Sequence, residues 1–253
     1  MAGNEAEEYH LASSIDPSRK HIFAPPELDE GERMAAYLSE GRVDVSEHGC
    51  VKLEIDGVEC DMRLDTAILT RRSGRSWSTV PLAKSVLGSV LHLANGVRRK
   101  ESALLPPGCD RNAPSAGALG SVELFCCVLN VEGVQPGLYY FDNTGHRLLL
   151  VKEGQFATWL SACVMLQEDF CRSGVIIFLV SAQKRLASKY GIRAYRLGLL
   201  DAGHVSQNIY LASTAYGLQA CAVGGFVDSE VNNALGIDGI SHCAVLALAV
   251  GNV

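Results

Sequence analysis

The sequence predicts an α+β fold in which a mixed sheet is flanked by helices. Apolar segments of strand length recur along the chain, among them SVELFCCVLNVEG, VIIFLVSA and HCAVLALAVG. Segments with a helical apolar period lie between or before them, including STVPLAKSVLGSVLHLANG and a stretch of about twenty residues from Leu199 through Gly217. No internal repeat or long linker interrupts this pattern.

The N-terminal part is predicted as an extension, residues 1–64, ahead of a main domain, residues 65–253. Its first part is polar and mixed in charge, and APPELDEGERMAAYL is typical of a short helix that begins with proline. Residues 50–64 contain two short extended stretches on either side of Asp56-Gly57. This turn dipeptide between alternating apolar positions predicts a hairpin.

The first half of the main domain is predicted as helix followed by loop. From Asp65 to Gly96 the pattern is helical in two segments, DTAILTRRS and STVPLAKSVLGSVLHLANG. Ser78 or Thr79 can cap the second helix ahead of its proline. Residues 98–120 are rich in Pro, Gly, Ser and Ala, so we expect a loop there.

The second half is predicted to alternate between strands and helices. A turn at Gln135–Gly137 leads into GLYYFDNTGHRLLLVKEG, which Asn143–Gly145 should turn back on itself. Residues 154–167 are predicted as a helix, and VIIFLVSA as a strand buried on both faces. The segment LQACAVGGF, a short helix at 228–236 and the final strand HCAVLALAVG complete the domain.

Composition limits the possible partners and compartments. The 253 residues are 48% hydrophobic, enough for a substantial core, and have a formal net charge of −6. This charge argues against nucleic acid or an anionic membrane as the main partner, while leaving room for a local phosphate site. No apolar run is long and uncharged enough to span a bilayer, and MAGNEAEEYH is unlike a secretory signal. We therefore expect a cytoplasmic enzyme.

The nine cysteines predict neither a metal site nor a disulfide framework. None forms a CxxC pair or a Cys/His cluster with zinc spacing, and an odd number cannot all pair internally. Most lie in apolar segments, where a free cysteine behaves as a small hydrophobe in a reducing compartment. Cys126 and Cys127 are adjacent on a predicted strand and should point to opposite faces, so a vicinal disulfide redox centre is not expected.

Three polar or glycine-containing clusters are candidates for ligand binding. RRSGR, residues 71–75, concentrates arginine and serine donors suited to a phosphate within a weakly amphipathic predicted helix, although it also fits a solvated basic helix face. APSAGA, residues 113–118, has small side chains that let backbone N–H groups approach a flat ligand, or it is simply a loop. Gly224-Gly225 could present a backbone N–H to a ligand or only turn the chain.

Together these clusters resemble the flavin-binding elements of the nitroreductase superfamily. The resemblance runs from about residue 65 to the C-terminus and more weakly upstream through EYHLASS. Two further strings, GVQPGLYYF at residues 133–141 and LDAGHVSQN from residue 200, are similar to those of the SagB-type dehydrogenases, a branch that includes the azoline oxidases. Five elements in this order and spacing make the resemblance specific.

The resemblance implies a nitroreductase-like, mainly antiparallel sheet in an intertwined homodimer, with FMN at the subunit interface. By position, the residues that should hold the ribityl phosphate and one ring edge are Arg71, Arg72, Ser73 and Arg75. Those that should touch the flavin from the other subunit are Pro114, Ser115, Ala116 and Gly117. Gly224 or Gly225 should lie beside the ring. Relatives often have a basic residue just after the last strand, whereas this chain has GNV there, so phosphate binding should depend more on the arginines.

The azoline oxidases of this branch also have a Lys-Tyr pair, implicated in catalysis, shortly before the LDAGH string. The chain has Lys189-Tyr190 at that place. The resemblance therefore implies oxidation of thiazoline or oxazoline rings to azoles, with O₂ reoxidising FMN. A desolvated lysine loses pKa and can remove the acidic α proton of an azoline, with tyrosine as partner or relay. The alternative is a surface lysine beside a packing aromatic.

Other features leave the substrate open. His204, expected to open the long helix, and Gln207 and Asn208 on its next turn are substrate-side candidates or structural hydrogen-bonding groups. The expected substrate is a peptide or peptidyl-carrier species, with a cyclodehydratase or other biosynthetic protein as possible partner. The alternative activity is an NAD(P)H-dependent flavin reductase acting on nitroaromatics, quinones or dehydroamino acids. A non-catalytic scaffold is disfavoured, because the flavin-binding motifs are intact.

Overall fold

A computed structural model of the chain describes residues 2–14, 49–54, 60–98, 110–163 and 168–253, together with the single residues 36, 43 and 45. Its centre is a seven-stranded sheet in the order β1-β4-β3-β2-β5-β7-β6, in which every neighbouring pair of strands is antiparallel. The strands are β1 (Cys50–Lys52), β2 (Val122–Val128), β3 (Gly137–Asp142), β4 (Arg147–Glu153), β5 (Val175–Ser181), β6 (Gln219–Val223) and β7 (Cys243–Gly251).

Helices cover both faces of this sheet. They are α1 (Ala2–Ala12), α2 (Leu64–Thr70), α3 (Lys84–Asn95), α4 (Ala157–Cys163), α5 (Gln183–Tyr190), α6 (Ala194–Ala215) and α7 (Asp228–Leu235). Short 3₁₀ turns lie at Ala116–Ala118, Glu168–Arg172 and Gly191–Arg193. Apolar side chains of α3 and α6 pack on one face of the sheet, and those of α4 and α7 pack on the other. The predicted α+β class is confirmed.

The central strands β2 and β5 are buried at every position, as predicted for the apolar segment VIIFLVSA. Strand alternation sends Cys126 into the core on the α3 and α6 side and Cys127 into the core on the α4 and α7 side. Burial raises the pKa of the Cys126 thiol to about 12 and also raises that of Cys127. Both cysteines are free and act as core hydrophobes.

Most of the other predicted elements of the C-terminal half are present. β3 and β4 form a hairpin that turns at residues 143–146. The predicted short helix at 228–236 and the last buried strand correspond to α7 and β7. The helix predicted at 154–167 is described as α4, with residues 164–167 outside the described part of the chain.

Three predicted helix boundaries are wrong. The helix that Ser78 or Thr79 was expected to cap begins at Lys84, with Ala83 as its N-cap and no side-chain capping hydrogen bond. The helix predicted through RRSGR ends at Thr70, because the following residues become extended and Ser73 forms a parallel bridge with Ala220 of β6. The long helix begins at Ala194 rather than at Leu199, because the 3₁₀ turn before it runs directly into the helix. His204 therefore lies near the middle of α6 and does not open it.

The predicted hairpin at 50–64 is only partly testable. β1 pairs with β4 of the main domain, while Asp56-Gly57 lies outside the described residues. Residues 60–63, on the far side of that turn, are irregular and lead into α2. The helix predicted at APPELDEGERMAAYL also lies outside the described residues, apart from the helical residue 36.

Helix α1 was not predicted from the sequence, and it is attached to the start of α6. Arg196 donates from Nε to Ser13 Oγ at 2.7 Å, and Arg193 donates to the Ser13 carbonyl oxygen at 3.1 Å. Tyr9 packs edge-on against Tyr195, with ring centroids 5.4 Å apart. The two arginines place positive charge at the C-terminal end of α1, where the helix dipole favours it.

Among the residues that the structure describes, no helix is long and apolar enough to cross a membrane.

Candidate active site

The arginine segment lies along the edge of the sheet. After α2, Ser73 forms its bridge with Ala220, and the Gly74 N–H donates to the Ala220 carbonyl oxygen at 3.2 Å. The Gln219 side chain packs against Gly74, where a Cβ would displace it. This pairing leaves three potential phosphate donors exposed, Arg72, Ser73 and Arg75.

Tyr210 of α6 holds this segment, and sequence reasoning missed it. Its hydroxyl accepts the Ala222 N–H at 2.6 Å and lies 3.1 Å from Ser73 Oγ. The Arg71 guanidinium lies 5.0 Å from the centroid of the same ring, within cation–π range. Tyr210 thus joins the arginine segment, β6 and α6. In the sequence it occupies an apolar helical position, and only the fold reveals its partners.

Gly224 and Gly225 follow β6 directly, a few residues beyond the bridge to Ser73. Both are exposed, and a Cβ added at either would meet no atom within 4 Å. The backbone here is therefore exposed to solvent, and its predicted contact with a flat ligand stays a prediction. The arginine segment and the glycine pair both adjoin β6, and together they are the first candidate half-site.

A second half-site is built around the loop at Pro114–Gly117. Asp201 of α6, which is buried, accepts the Ala116 N–H at 3.1 and 3.0 Å and the Ser121 hydroxyl at 2.5 Å. Burial raises the pKa of Asp201, while these hydrogen bonds and the nearby His204 act in the opposite direction. Asp201 therefore fixes the loop to α6.

The predicted catalytic pair lies against this loop. Lys189 and Tyr190 are the last residues of α5, and both are half-buried. A Cβ at Gly117 would lie 2.5 Å from the Tyr190 hydroxyl and 2.8 Å from Lys189 Nζ. Gly117 also has φ = 59°, a conformation that favours glycine. The fold thus brings together two motifs that are about seventy residues apart in the sequence.

The three substrate-side candidates on α6 differ in their exposure and in their hydrogen-bond partners. His204 is exposed, and its Nδ1 lies 3.3 Å from the Pro114 carbonyl oxygen, to which a protonated Nδ1 can donate. Gln207 is exposed on the next turn. Asn208 donates from Nδ2 to the Ala94 carbonyl oxygen at 3.2 Å and so satisfies the C-terminal turn of α3. His204 and Gln207 thus lie on the open face of α6, whereas Asn208 has a structural partner.

The two half-sites lie at different levels of α6. Asp201 anchors the second half-site and Tyr210 the first, and they are nine residues apart on one helix. At a rise of about 1.5 Å per residue, this separation is about 14 Å. Asp201 and Tyr210 thus attach the loop at Pro114–Gly117 and the arginine segment to different turns of α6. In the described part of the chain, no three His, Cys, Asp or Glu side chains are grouped as a metal site.

Comparison with known proteins assigns this architecture to a family. The Nitroreductase family model matches residues 68–252. The chain belongs to the nitroreductase family. It is therefore a nitroreductase-family oxidoreductase, and the predicted superfamily is confirmed.

Two relatives of this chain are named for different activities. The chain is 27% identical over 187 residues to MJ1384 of Methanocaldococcus jannaschii, which is named as a nitroreductase, covering 74% of this chain and 90% of that protein. It is also 27% identical over 158 residues to the microcin B17-processing protein McbC of Escherichia coli, covering 58% of this chain and 56% of McbC. The chain thus spans little more than half the length of McbC.

Solved structures share the fold. A protein of Anabaena variabilis described as a nitroreductase superposes with a TM-score of 0.66 at 25% identity, covering 90% of this chain and 48% of that one. The Escherichia coli microcin synthetase McbBCD complex, solved with truncated pro-MccB17 bound, superposes with a TM-score of 0.63 at 18% identity. The match covers 99% of this chain and 92% of the matched chain. NADPH:FMN oxidoreductase of Vibrio harveyi, complexed with NAD⁺, superposes with a TM-score of 0.53 at 16% identity. The match covers 75% of this chain and 68% of the matched chain.

Gly117→Ala should displace the Lys189-Tyr190 pair without unfolding the protein, because the overlapping atoms are the mobile ends of long side chains. The matched control is Gly133→Ala, since Gly133 has a similar φ of 69° but no atom within 4 Å of a Cβ. The free energy of unfolding should fall by about 1–2 kcal/mol in both variants, because alanine is strained in the left-handed conformation. Only Gly117→Ala should change the rate at which an amine reagent labels Lys189, measured by mass spectrometry. Equal labelling in both variants would contradict the contact.

Proposed function

We propose that the protein is an FMN-dependent oxidase that converts azoline rings to azoles in a peptide or peptide-like natural product. The observation that supports this most directly is the contact of Lys189 and Tyr190 with the Gly117 loop. A potential proton acceptor thus lies beside the loop that the family resemblance places next to the flavin. Among flavin reactions, azoline oxidation needs such a group, because aromatisation removes a proton as well as a hydride.

The residues present fit FMN. Its phosphate is dianionic, and Arg72, Ser73 and Arg75 place exposed charged and hydroxyl donors together at the sheet edge. Its ring is flat, and the backbone at Gly224-Gly225 is exposed with open space beside it. We assign the phosphate to the arginine segment and one edge of the ring to the glycine pair.

We propose that a second copy of the chain completes the site. The two half-sites are separated along α6, and the exposed face of this helix includes Tyr195, Leu199 and Leu200. Exposed apolar residues grouped on one helix face are typical of an interface. A twofold axis across α6 would place the first half-site of one protomer beside the second half-site of its partner. We therefore propose a homodimer with two shared sites.

In this site the protein's side chains bind the substrate, orient it and accept its proton. When bound, FMN supplies the hydride acceptor, and O₂ regenerates the oxidised cofactor. Lys189 Nζ, half-buried beside the loop, removes the proton from the ring carbon α to the carbonyl. The Tyr190 hydroxyl, adjacent to the same loop position, holds or relays that proton. His204 and Gln207, on the open face of α6, are positioned to contact the substrate.

The names of two relatives support this class of substrate. McbC is named for processing microcin B17, and the McbBCD complex was solved with a truncated pro-MccB17 bound. We propose that this chain likewise acts on a peptide or peptidyl-carrier substrate, together with a cyclodehydratase or another biosynthetic protein.

The second candidate is an NAD(P)H-dependent reductase of nitroaromatics, quinones or dehydroamino acids. It is favoured by the nitroreductase name of MJ1384, the relative that matches this chain over the greater length. The two activities are separable by substrate. An azoline oxidase consumes a thiazoline peptide with O₂, whereas the reductase consumes NADPH in the presence of a nitroaromatic compound.

Replacing Arg71 and Arg75 together with Ala should strip the flavin. Arg75 is exposed and is expected to make charge-assisted contacts of about 1.5–3 kcal/mol with the phosphate. Arg71, whose guanidinium lies over the Tyr210 ring, adds positive charge beside it and helps to hold the segment. The control is Arg63→Ala, since Arg63 is an exposed arginine paired with Asp65 before α2. The absorption spectrum of oxidised flavin in the purified proteins measures occupancy. Full occupancy in the double variant would show that the phosphate is bound elsewhere.

Lys189→Ala and Tyr190→Phe should retain FMN and slow azoline oxidation by a factor of about 10²–10⁴, the usual contribution of a positioned acid–base group. Lys184→Ala, on the same helix and exposed, is the control and should turn over at the wild-type rate. The assay follows the loss of two mass units from a thiazoline peptide and is repeated with the α carbon deuterated. Wild-type turnover by Lys189→Ala would assign the base elsewhere, with His204 the next candidate. If the wild type ignores thiazolines but consumes NADPH with a nitroaromatic, the reductase replaces the oxidase.

A further inference from the structure

A buried carboxylate lies on β2 below helix α5. Glu123 is only 3% exposed and accepts Arg185 Nη1 at 2.8 Å and the Tyr140 hydroxyl at 3.1 Å. Arg111 approaches the same carboxylate at 3.7 Å. All four side chains lie away from the arginine segment at the sheet edge, so they are not part of the proposed phosphate site.

The Glu123 carboxyl group is ionised. Burial raises the pKa of Glu123, but the charges of Arg111 and Arg185, with hydrogen bonds from Arg185 and Tyr140, hold it below its ordinary value. A buried ion pair is a weak source of stability, because well-packed apolar residues often do as well. What a guanidinium adds is direction, since its planar donors bind only acceptors in matching positions. The cluster is therefore better suited to fixing geometry than to stabilising the fold.

Arg185 connects three elements through a single nitrogen. Its Nη1 donates to Glu123 of β2 and, at 2.9 Å, to the carbonyl oxygen of Gly120. Gly120 ends the turn in which Gly117 touches Lys189 and Tyr190. Arg185 itself lies in α5, four residues before Lys189, which is one helical turn. One side chain thus fixes both the helix that bears the pair and the loop against which the pair lies.

We propose that Arg185, held by Glu123, is a positioning residue for Lys189 and Tyr190. It sets the distance between α5 and the Gly117 turn by fixing both to β2. Its effect on turnover depends on the proposed function of the pair, whereas its effect on the position of Lys189 does not. A neutral side chain of similar length would fill the same space without directing either element.

Arg185→Met tests this, with Tyr140→Phe as the matched control. Tyr140 also bonds to Glu123, but its side chain contacts neither α5 nor the turn through that bond. The FMN-loaded proteins are compared by melting temperature, by the pH profile of Lys189 labelling with an amine reagent, and by turnover of a thiazoline peptide. Arg185→Met should retain FMN, displace the labelling profile by at least about half a pH unit and slow turnover at least about tenfold. Tyr140→Phe should lower the melting temperature without altering the labelling profile or turnover.

A wild-type labelling profile and turnover in Arg185→Met would overturn the proposal, whatever its melting temperature. If Arg185→Met does not fold, the Arg185→Lys variant tests the proposal in its place. It keeps the charge beside Glu123 but cannot reproduce the guanidinium geometry, so the labelling profile should still be displaced, and an unchanged profile rejects the proposal. If the wild type does not oxidise thiazolines, the proposed function fails, while Lys189 labelling still decides the role of Arg185.

Discussion

The packing of α6 across the sheet is the constraint on which the rest of the structure depends. Its apolar side chains lie on one face of the sheet, and two of its polar side chains bind segments that lie outside the main helices and strands. Asp201 holds the Pro114–Gly117 loop through backbone and hydroxyl hydrogen bonds, and Tyr210 holds Ser73 and Arg71. Without these attachments, the residues assigned to cofactor binding would lie on surface loops.

Buried polar groups fix the site because each has partners. An unpaired carboxylate inside the protein would be costly, but Asp201 accepts two donors, and Glu123 is surrounded by two arginines and a tyrosine hydroxyl. Satisfied in this way, each carboxylate admits few alternative arrangements of the elements around it. The strands beneath, β2 and β5, are buried on both faces and form a rigid base for these clusters.

Sequence reasoning predicted the class of the fold and its central strands, because continuous apolar runs and turn dipeptides are local signals. It extended a helix through RRSGR, since the helical pattern continues there and the competing pairing with β6 involves residues about 145 positions away. Tyr210 was missed because a tyrosine at an apolar helical position resembles an ordinary packing residue. Helix α1 was missed because it has no apolar stripe of its own, and its attachments come from Arg193 and Arg196. The motif residues were found by resemblance, but their contacts with one another were not predictable from their spacing.

The most direct test of the account is a mixed dimer. Differently tagged Arg71→Ala/Arg75→Ala and Lys189→Ala chains are co-expressed, and the heterodimer is purified by both tags. If each site combines the arginines of one protomer with Lys189 of its partner, one site carries both defects and the other carries none. The heterodimer should then regain about half of the wild-type azoline oxidation, although both parent homodimers are impaired. If the heterodimer is as inactive as its parents, or if a flavin-loaded monomer turns over, the shared site is contradicted.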